Sequence, residues 1–564
     1  MLSVVENFKT GKLELADLPA PIRRSGAVLV ANRASLISAG TERAAIELAR
    51  KTLAGKALDR PDLVRQVINK VRRDGLAATV KAVRARLDSP VALGYSSAGV
   101  VIETSAGCRE FAPGDRVACA GAKYATHSEI ISVPKNLCAA IPDNVSFEDA
   151  SYVTLGAIAM HGVRQAEVSL GETVAVIGCG LLGLLTVQIL SAAGVKVFSI
   201  DTNASRVDLA KRLSSGGGAP ADAADITDRA GAFTGGIGFD AVILTAATKS
   251  SGPLHMASLI ARDRARIVAV GDVGMHVRRR TFYEKELTLV MSRSYGPGRY
   301  DPAYEERGIE YPLSYVRWGE KRNLEEFLSL VAAGKVRLGE LTTHTFEIAE
   351  ALEAYDYVLG KKSAPYIGMV ITYGESAGKA RKVSLPAAYK PLSKAKAGIG
   401  FVGAGAFSQS VLLPALSRVE GAEPVIIASA GGLSARHAGG KFGFREAASD
   451  FSEVLACDGV DAVIIATRHN LHAAQVRSAL DAGKHVYVEK PLALSLDELA
   501  EIRLAHANSG RILMVGFNRR FSPHARAVKE LFAGYKRPKA INYRINAGVA
   551  VSYTHLTLPT KRIV

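Results

Sequence analysis

Two glycine turns in this chain are built for phosphate chemistry. In the first, Val174, Ala175, Val176 and Ile177 run into Gly178, Cys179, Gly180, Leu181, Leu182 and Gly183. Glycines at that spacing permit a tight turn, let backbone amides approach a pyrophosphate, and let the next helix pack close to the strand. A second apolar strand, Val195 to Ile200, ends in Asp201, 18 residues after the last glycine. A carboxylate there accepts hydrogen bonds from ribose hydroxyls and repels a 2′-phosphate. Strand, turn, helix, strand and terminal acid together predict an NAD site built on Gly178, Gly180, Gly183 and Asp201.

The second turn is Gly400, Phe401, Val402, Gly403, Ala404, Gly405, Ala406, Phe407 and Ser408, with Ser408 where a third small residue belongs. Its second strand, Pro424 to Ile427, runs into Ala428, Ser429, Ala430, Gly431 and Gly432, with no carboxylate at the ribose position. Without that charge, NADP fits as well as NAD. A vestigial turn that binds nothing is the competing reading.

These turns need elements to hold them. The chain's 564 residues exceed one core and predict three to four domains. Residues 1–150 read as short strands and turns, 151–319 as alternating strand and helix, and 320–372 as a return to the first domain. Alternation implies a parallel sheet. Residues 373–397, with Gly374, Gly378, Pro386, Pro391 and six Lys or Arg, have a linker's composition. A second alternating unit spans 398–518, followed by the start of another domain at 519–549.

Composition excludes several classes. Apolar content of 48% and charged content of 22% are those of a globular protein. Five scattered cysteines, Cys108, Cys119, Cys138, Cys179 and Cys457, form no C-x-x-C pair, which favours a reducing cytoplasm over a disulfide framework. No secretory leader is read, and the uncharged run Val174–Val195 reads as a buried strand, turn and helix rather than a membrane span. The formal charge is +17, and part of the excess is local to an amphipathic helical insertion, residues 47–89, where basic residues outnumber acidic ones. It reads as a solvated face or as an anion-attracting surface for nucleotide or sugar-phosphate ligands.

Residues 1–372 resemble the medium-chain, alcohol-dehydrogenase-like reductases. The resemblance rests on Leu93 to Val100, Phe111 to Val117, the first glycine turn and Leu338 to Phe346. It implies an α/β fold in which a GroES-like partial β-barrel is interrupted by a Rossmann domain, and a catalytic zinc held by a Cys and a His-Glu pair. Here Ser38 stands near the expected cysteine, and Tyr95 with Ser96 replaces the His-Glu pair. Neutral hydroxyls are poor zinc ligands beside thiolate and imidazole, so no metal is expected. Hydride transfer then needs hydrogen-bond donors aimed at the substrate oxygen. Tyr95 is the first candidate, followed by Ser38 and Thr41; each could instead be ordinary cleft lining.

Residues 398–548 resemble the glucose-fructose oxidoreductase and inositol dehydrogenase (Gfo/Idh/MocA) family. The matching pieces are the second glycine turn, Val460 to Thr467, His469 to His472, Gly483 to Pro491 with its Glu489-Lys490-Pro491 motif, and Gly516 to Phe521. The resemblance implies a second Rossmann domain and the start of an α/β substrate domain. It also implies that Lys490 relays a proton at the substrate hydroxyl, with Gly403, Gly405, Ser408, Thr467 and Glu489 on the cofactor side. The two parts in this order resemble bacterial bi-domain oxidoreductases, a group that Ser292 to Tyr300 and Tyr311 to Trp318 also fit.

Val551 to Thr560 looks like a translated sequencing adapter, so the natural sequence is expected to stop near Gly548 or Ala550, leaving the second substrate domain truncated. The function expected is an NAD(P)-dependent, zinc-independent oxidoreductase acting on a sugar-derived alcohol or ketone. Its setting would be surface-polysaccharide or nucleotide-sugar metabolism. A non-catalytic nucleotide-binding or regulatory protein is the alternative, and nucleic-acid binding rests on charge alone. No membrane partner is expected, and homo-oligomerisation is left open.

Overall fold

The computed structural model describes residues 1–52, 55–56, 61–76, 79–80, 83, 87–375, 380–386 and 395–535. Arg60, Lys81, Arg84 and Arg86 of the basic insertion, the candidate strand 540–546 and the terminal segment lie outside the described residues. The chain forms two compact units, residues 1–51 with 87–463 and residues 52–86 with 464–564.

In the first unit, β1 (Leu2–Asn7) pairs antiparallel with β2 (Lys12–Asp17) and with β4 (Pro90–Ala92). A larger sheet is built around β3 (Ala27–Ile37) and β5 (Ser96–Thr104), continuing through β6 (Arg116–Ala120) to β8 (Cys138–Ala140). On its other side, β16 (Gly368–Thr372) joins β3 and carries β15 (Thr342–Glu347), while β7 (Ile130–Pro134) also pairs with β3. Residues 342–347 and 368–372 therefore belong to the same sheet as β3.

Between these segments lies a six-stranded parallel sheet of order β11-β10-β9-β12-β13-β14. Its strands are β9 (Thr173–Ile177), β10 (Lys196–Asp201), β11 (Gly217–Pro220), β12 (Phe239–Leu244), β13 (Ala261–Ala269) and β14 (Thr288–Met291). Val174, Ala175 and Val176 are fully buried, as a parallel strand covered on both faces requires. Helix α1 (Ala39–Arg50) follows β3, α2 (Pro61–Asp74) belongs to the basic insertion, α3 (Val153–Ala166) precedes β9, and α4 (Leu181–Ala192) follows it. Eight consecutive residues of α4, Gly183–Leu190, are buried, so the uncharged run forms a strand, a turn and a helix with a buried centre. No helix among the described residues is long and apolar enough to cross a membrane.

Past Tyr373 the linker reading needs correction. Lys382–Ser384 forms β17, antiparallel to β20 (Glu446–Ala448), which pairs with β19 (Ala422–Ala428) beside β18 (Ala397–Val402). Arg381 bonds both Glu103 and Asp450, and Tyr373 is buried with its hydroxyl on Ser35. Composition said linker because an open sheet edge elsewhere in the chain supplies the hydrogen bonds that local sequence cannot.

The second unit contains α2. Val67, Ile68, Leu76 and Val80 of the insertion are exposed rather than turned into a core. It also carries β22 (His485–Glu489), parallel to β23 (Leu513–Gly516), with α6 (His469–Asp481) before β22 and α7 (Leu496–Ser509) after it. Helix α5 (Glu320–Ala332) belongs to the first unit and packs on α3.

Candidate functional site

Register decides what faces the first glycine turn. β10 runs parallel to β9 with Ile200 opposite Ile177, so Asp201 stands beside Gly178 at the carboxyl end of the sheet. The Gly178 amide donates to the Ile200 carbonyl at 2.8 Å. The Cys179 amide donates to one Asp201 oxygen at 2.5 Å, and the Asn203 amide to the other at 2.8 Å. Asp201 is 9% exposed, a carboxylate held rigid at the turn with acceptor capacity left for ribose hydroxyls.

The three glycines do different work. Gly178 has φ +106°, and a Cβ there would lie 2.5 Å from the Ala246 amide nitrogen. A Cβ on Gly183 would lie 1.8 Å from the Gly178 carbonyl oxygen, so α4 packs against the turn itself. A Cβ on Gly180 would meet nothing within 4 Å. Gly180 caps α4, and its open side leaves the helix amides free to receive a phosphate.

Tyr95, Ser38 and Thr41 come together although 54 to 57 residues separate Tyr95 from the other two. The Tyr95 hydroxyl donates to Ser38 Oγ at 2.6 Å, and Thr41 Oγ1 lies 3.5 Å away. Gly121 N and Thr154 Oγ1 both donate to the Tyr95 carbonyl, at 2.9 and 3.0 Å. Ser96 is a fastener: its hydroxyl donates to Ser151 O and accepts from Thr154 N, tying β5 to the start of α3. Burial raises the Tyr95 hydroxyl above the ordinary tyrosine value, keeping it a proton donor.

Beneath this cluster is a network that sequence reasoning missed. Glu42, 3% exposed, accepts from the Ser38 amide at 2.9 Å, from the Tyr355 hydroxyl at 2.5 Å and faces His127 Nε2 at 3.3 Å. His127 Nδ1 meets Ser35 Oγ at 2.7 Å, and Ser35 meets the Tyr373 hydroxyl at 2.7 Å. A carboxylate this deep needs several donors, and here they come from three parts of the chain, Ser38, His127 and Tyr355.

The donor set does not suit a zinc ion. Ser38, Thr41 and Tyr95 offer neutral hydroxyls already bonded to one another, and the neighbouring carboxylate is engaged by three partners. No three His, Cys, Asp or Glu side chains among the described residues converge as metal ligands.

The second glycine turn repeats the first in outline. The Gly403 amide donates to the Ala428 carbonyl at 2.9 Å, and a Cβ on Gly405 would meet nothing within 4 Å. Ser408, 1% exposed, donates to the Gly403 carbonyl, closing the turn with a hydroxyl where the first uses glycine packing. A π-helical turn, Ser408–Leu412, leads into Leu413–Leu416, so no long regular helix follows. Register places Ser429 where the first site has Asp201, because Val402 stands opposite Ala428.

In the second unit Lys490 is exposed at the end of β22, beside a groove lined by Pro491 to Leu496, Leu499 and Phe517. It has no ion pair with Glu489, which is 9% exposed and accepts from the Tyr487 hydroxyl at 2.9 Å. Thr467 donates to Gln475 at 2.6 Å. His472, fully buried, places Nδ1 2.7 Å from the Pro491 carbonyl and Nε2 3.3 Å from the Thr467 carbonyl. It thus ties the Lys490-Pro491 segment to the end of the preceding strand, a role the motif did not reveal.

Known proteins match the two parts separately. A family described as zinc-binding dehydrogenase matches residues 182–306, and one described as an oxidoreductase family with an NAD-binding Rossmann fold, Gfo/Idh/MocA, matches residues 397–517. A 4-carboxy-2-hydroxymuconate-6-semialdehyde dehydrogenase of Sphingobium is 40% identical over 125 residues, 22% of this chain and 39% of that protein. A probable D-xylulose reductase A of Neosartorya fischeri is 27% identical over 307 residues, 48% of this chain and 78% of that protein. Galactitol-1-phosphate dehydrogenase from Escherichia coli shares the fold, with a TM-score of 0.51 at 19% identity over 66% of this chain and all of its own. The α/β architecture read from the sequence, a GroES-like barrel with a Rossmann domain and then a second Rossmann domain, is the one found.

Proposed function

We propose that this chain, which joins a segment of the zinc-binding-dehydrogenase family to one of the Gfo/Idh/MocA family, is an NAD(P)-dependent oxidoreductase of sugar-derived alcohols or ketones that works without zinc. The observation that carries it is the first glycine turn: an open face at Gly180 and a fixed carboxylate at Asp201 on a parallel sheet. Asp201 selects NAD at that site. With substrate bound, Tyr95 turns its single hydroxyl proton from Ser38 to the substrate oxygen, where developing negative charge is stabilised without a Lewis acid. At the second turn, in the first unit, Gly403, Gly405 and Ser408 hold the pyrophosphate; in the second unit, Thr467 and Glu489 serve cofactor binding and Lys490 exchanges the substrate proton.

A cytoplasmic setting, supported by five free cysteines, and a part in surface-polysaccharide or nucleotide-sugar metabolism complete the proposal. Calorimetry tests the cofactor assignment: residues 1–372 bind NADH more tightly than NADPH, and the reverse order would sink it. Turnover is tested by oxidation of NADH or NADPH with a panel of ketoses and nucleotide sugars. Elemental analysis of the purified chain should find no stoichiometric zinc; one ion surviving chelation would overturn the metal-free reading.

A further inference from the structure

We propose that Arg24, reaching from the segment between β2 and β3, clasps the 2′-phosphate of NADP held at the second glycine turn. The inference rests on the reading of that turn as a dinucleotide site and names which dinucleotide it takes. Three observations converge on it. Register puts Ser429 at the position that Asp201 occupies in the first site, so a neutral hydroxyl replaces the carboxylate that would repel a phosphate. Ser429 Oγ lies 2.7 Å from Ser434 Oγ and accepts from the Ala435 amide at 3.1 Å, which fixes it at the strand end.

The segment carrying Arg24 is docked on this loop by backbone contacts. The Ile22 amide donates to the Ala430 carbonyl at 3.1 Å, and the Ala20 amide to the Ala380 carbonyl at 2.9 Å. A Cβ on Gly432 would lie 2.5 Å from the Pro19 carbonyl oxygen. Arg436, on the helix that follows, is anchored to Glu14 of β2 at 2.9 Å, which occupies the nearby carboxylate.

Above the loop, the atom nearest to a Cβ on Gly431 would be Arg24 Nη2, at 3.7 Å. Arg24 is exposed and has no ion-pair partner among the described residues, whereas its neighbour Arg23 is spent on the Thr104 carbonyl. A planar guanidinium free at this place matches a phosphate dianion through paired N–H donors. The cofactor choice of one dinucleotide fold is thereby made by a residue of the other part of the chain.

The test uses the full chain with the first site closed by Gly180→Asp, a position where a side chain has open space. NADPH and NADH are titrated by fluorescence and calorimetry. NADPH should bind at least tenfold tighter than NADH. Arg24→Ala should erase about tenfold of that preference while leaving NADH affinity unchanged, and Arg24→Lys should keep part of it. Adenosine 2′,5′-bisphosphate should compete in the parent and lose potency in Arg24→Ala, whereas 5′-AMP should not distinguish them. Equal binding of the two dinucleotides, or a preference that survives Arg24→Ala, overturns the role of Arg24 and leaves the second dinucleotide site standing. Binding of neither cofactor overturns both.

Discussion

Tyr95 is where a single atom matters most. Its hydroxyl is bonded to Ser38 and kept protonated by burial, so the catalytic role proposed for it is a hydrogen bond to oxygen rather than ionic chemistry. Tyr95→Phe should lower kcat by about 10²-fold, the scale of losing one donor to a developing oxyanion, with NADH affinity nearly unchanged. Steady-state kinetics with calorimetry on the same samples checks it; an unaltered kcat would make Tyr95 cleft lining. Lys490 makes a parallel case in the second unit. In a Gly180→Asp background, Lys490→Ala should lower kcat by about 10²-fold while cofactor affinity holds. Full activity there would leave Lys490 as a solvated charge.

At the scale of elements, the glycine turns separate binding from packing. Gly183→Ala drives a methyl group into the Gly178 carbonyl and should cost about 2 kcal/mol or more in denaturant unfolding. Gly180→Ala has open space and should leave stability unchanged while weakening NADH binding. A reversed ranking in the two assays would show that the helix, and not the phosphate, sets the glycine requirement at position 180. The same logic explains Ser408, whose hydroxyl closes the second turn by hydrogen bonding rather than by close helix packing.

Across the whole molecule, the segment after β14 carries a charge problem with a pH consequence. Glu320, at the first turn of α5, is fully buried, and neither carboxyl oxygen has a protein partner. Burial, aided by Glu305, pushes its pKa from the ordinary 4.5 up to about 9, against the opposing pull of Arg299 and Arg293. The folded protein therefore keeps a proton that the unfolded chain releases. This favours folding fully below pH 4.5, and the advantage is lost as pH rises to about 9, at no more than about 1.4 kcal/mol per pH unit. Urea unfolding between pH 5 and pH 9 should show that decline in the parent and a flatter profile in Glu320→Gln, and identical profiles would show that Glu320 ionises freely.

The sequence alone determined the parts of the fold that rest on local pattern. Glycine spacing, a strand-terminal Asp201 and apolar runs are one-dimensional signals, so both dinucleotide turns and the parallel sheet were legible. The Tyr95, Ser38 and Thr41 candidates were named from a resemblance, but their meeting depends on β3, α1 and β5 being brought side by side. Tertiary structure alone decided the Glu42, His127 and Tyr355 network, because its members are up to 313 residues apart and each is unremarkable among its sequence neighbours. It also turned part of a basic linker into a strand and set Arg24 over Gly431. Buried polar groups and sheet edges must be satisfied wherever the partners come from, and sequence distance carries no information about which partners those are.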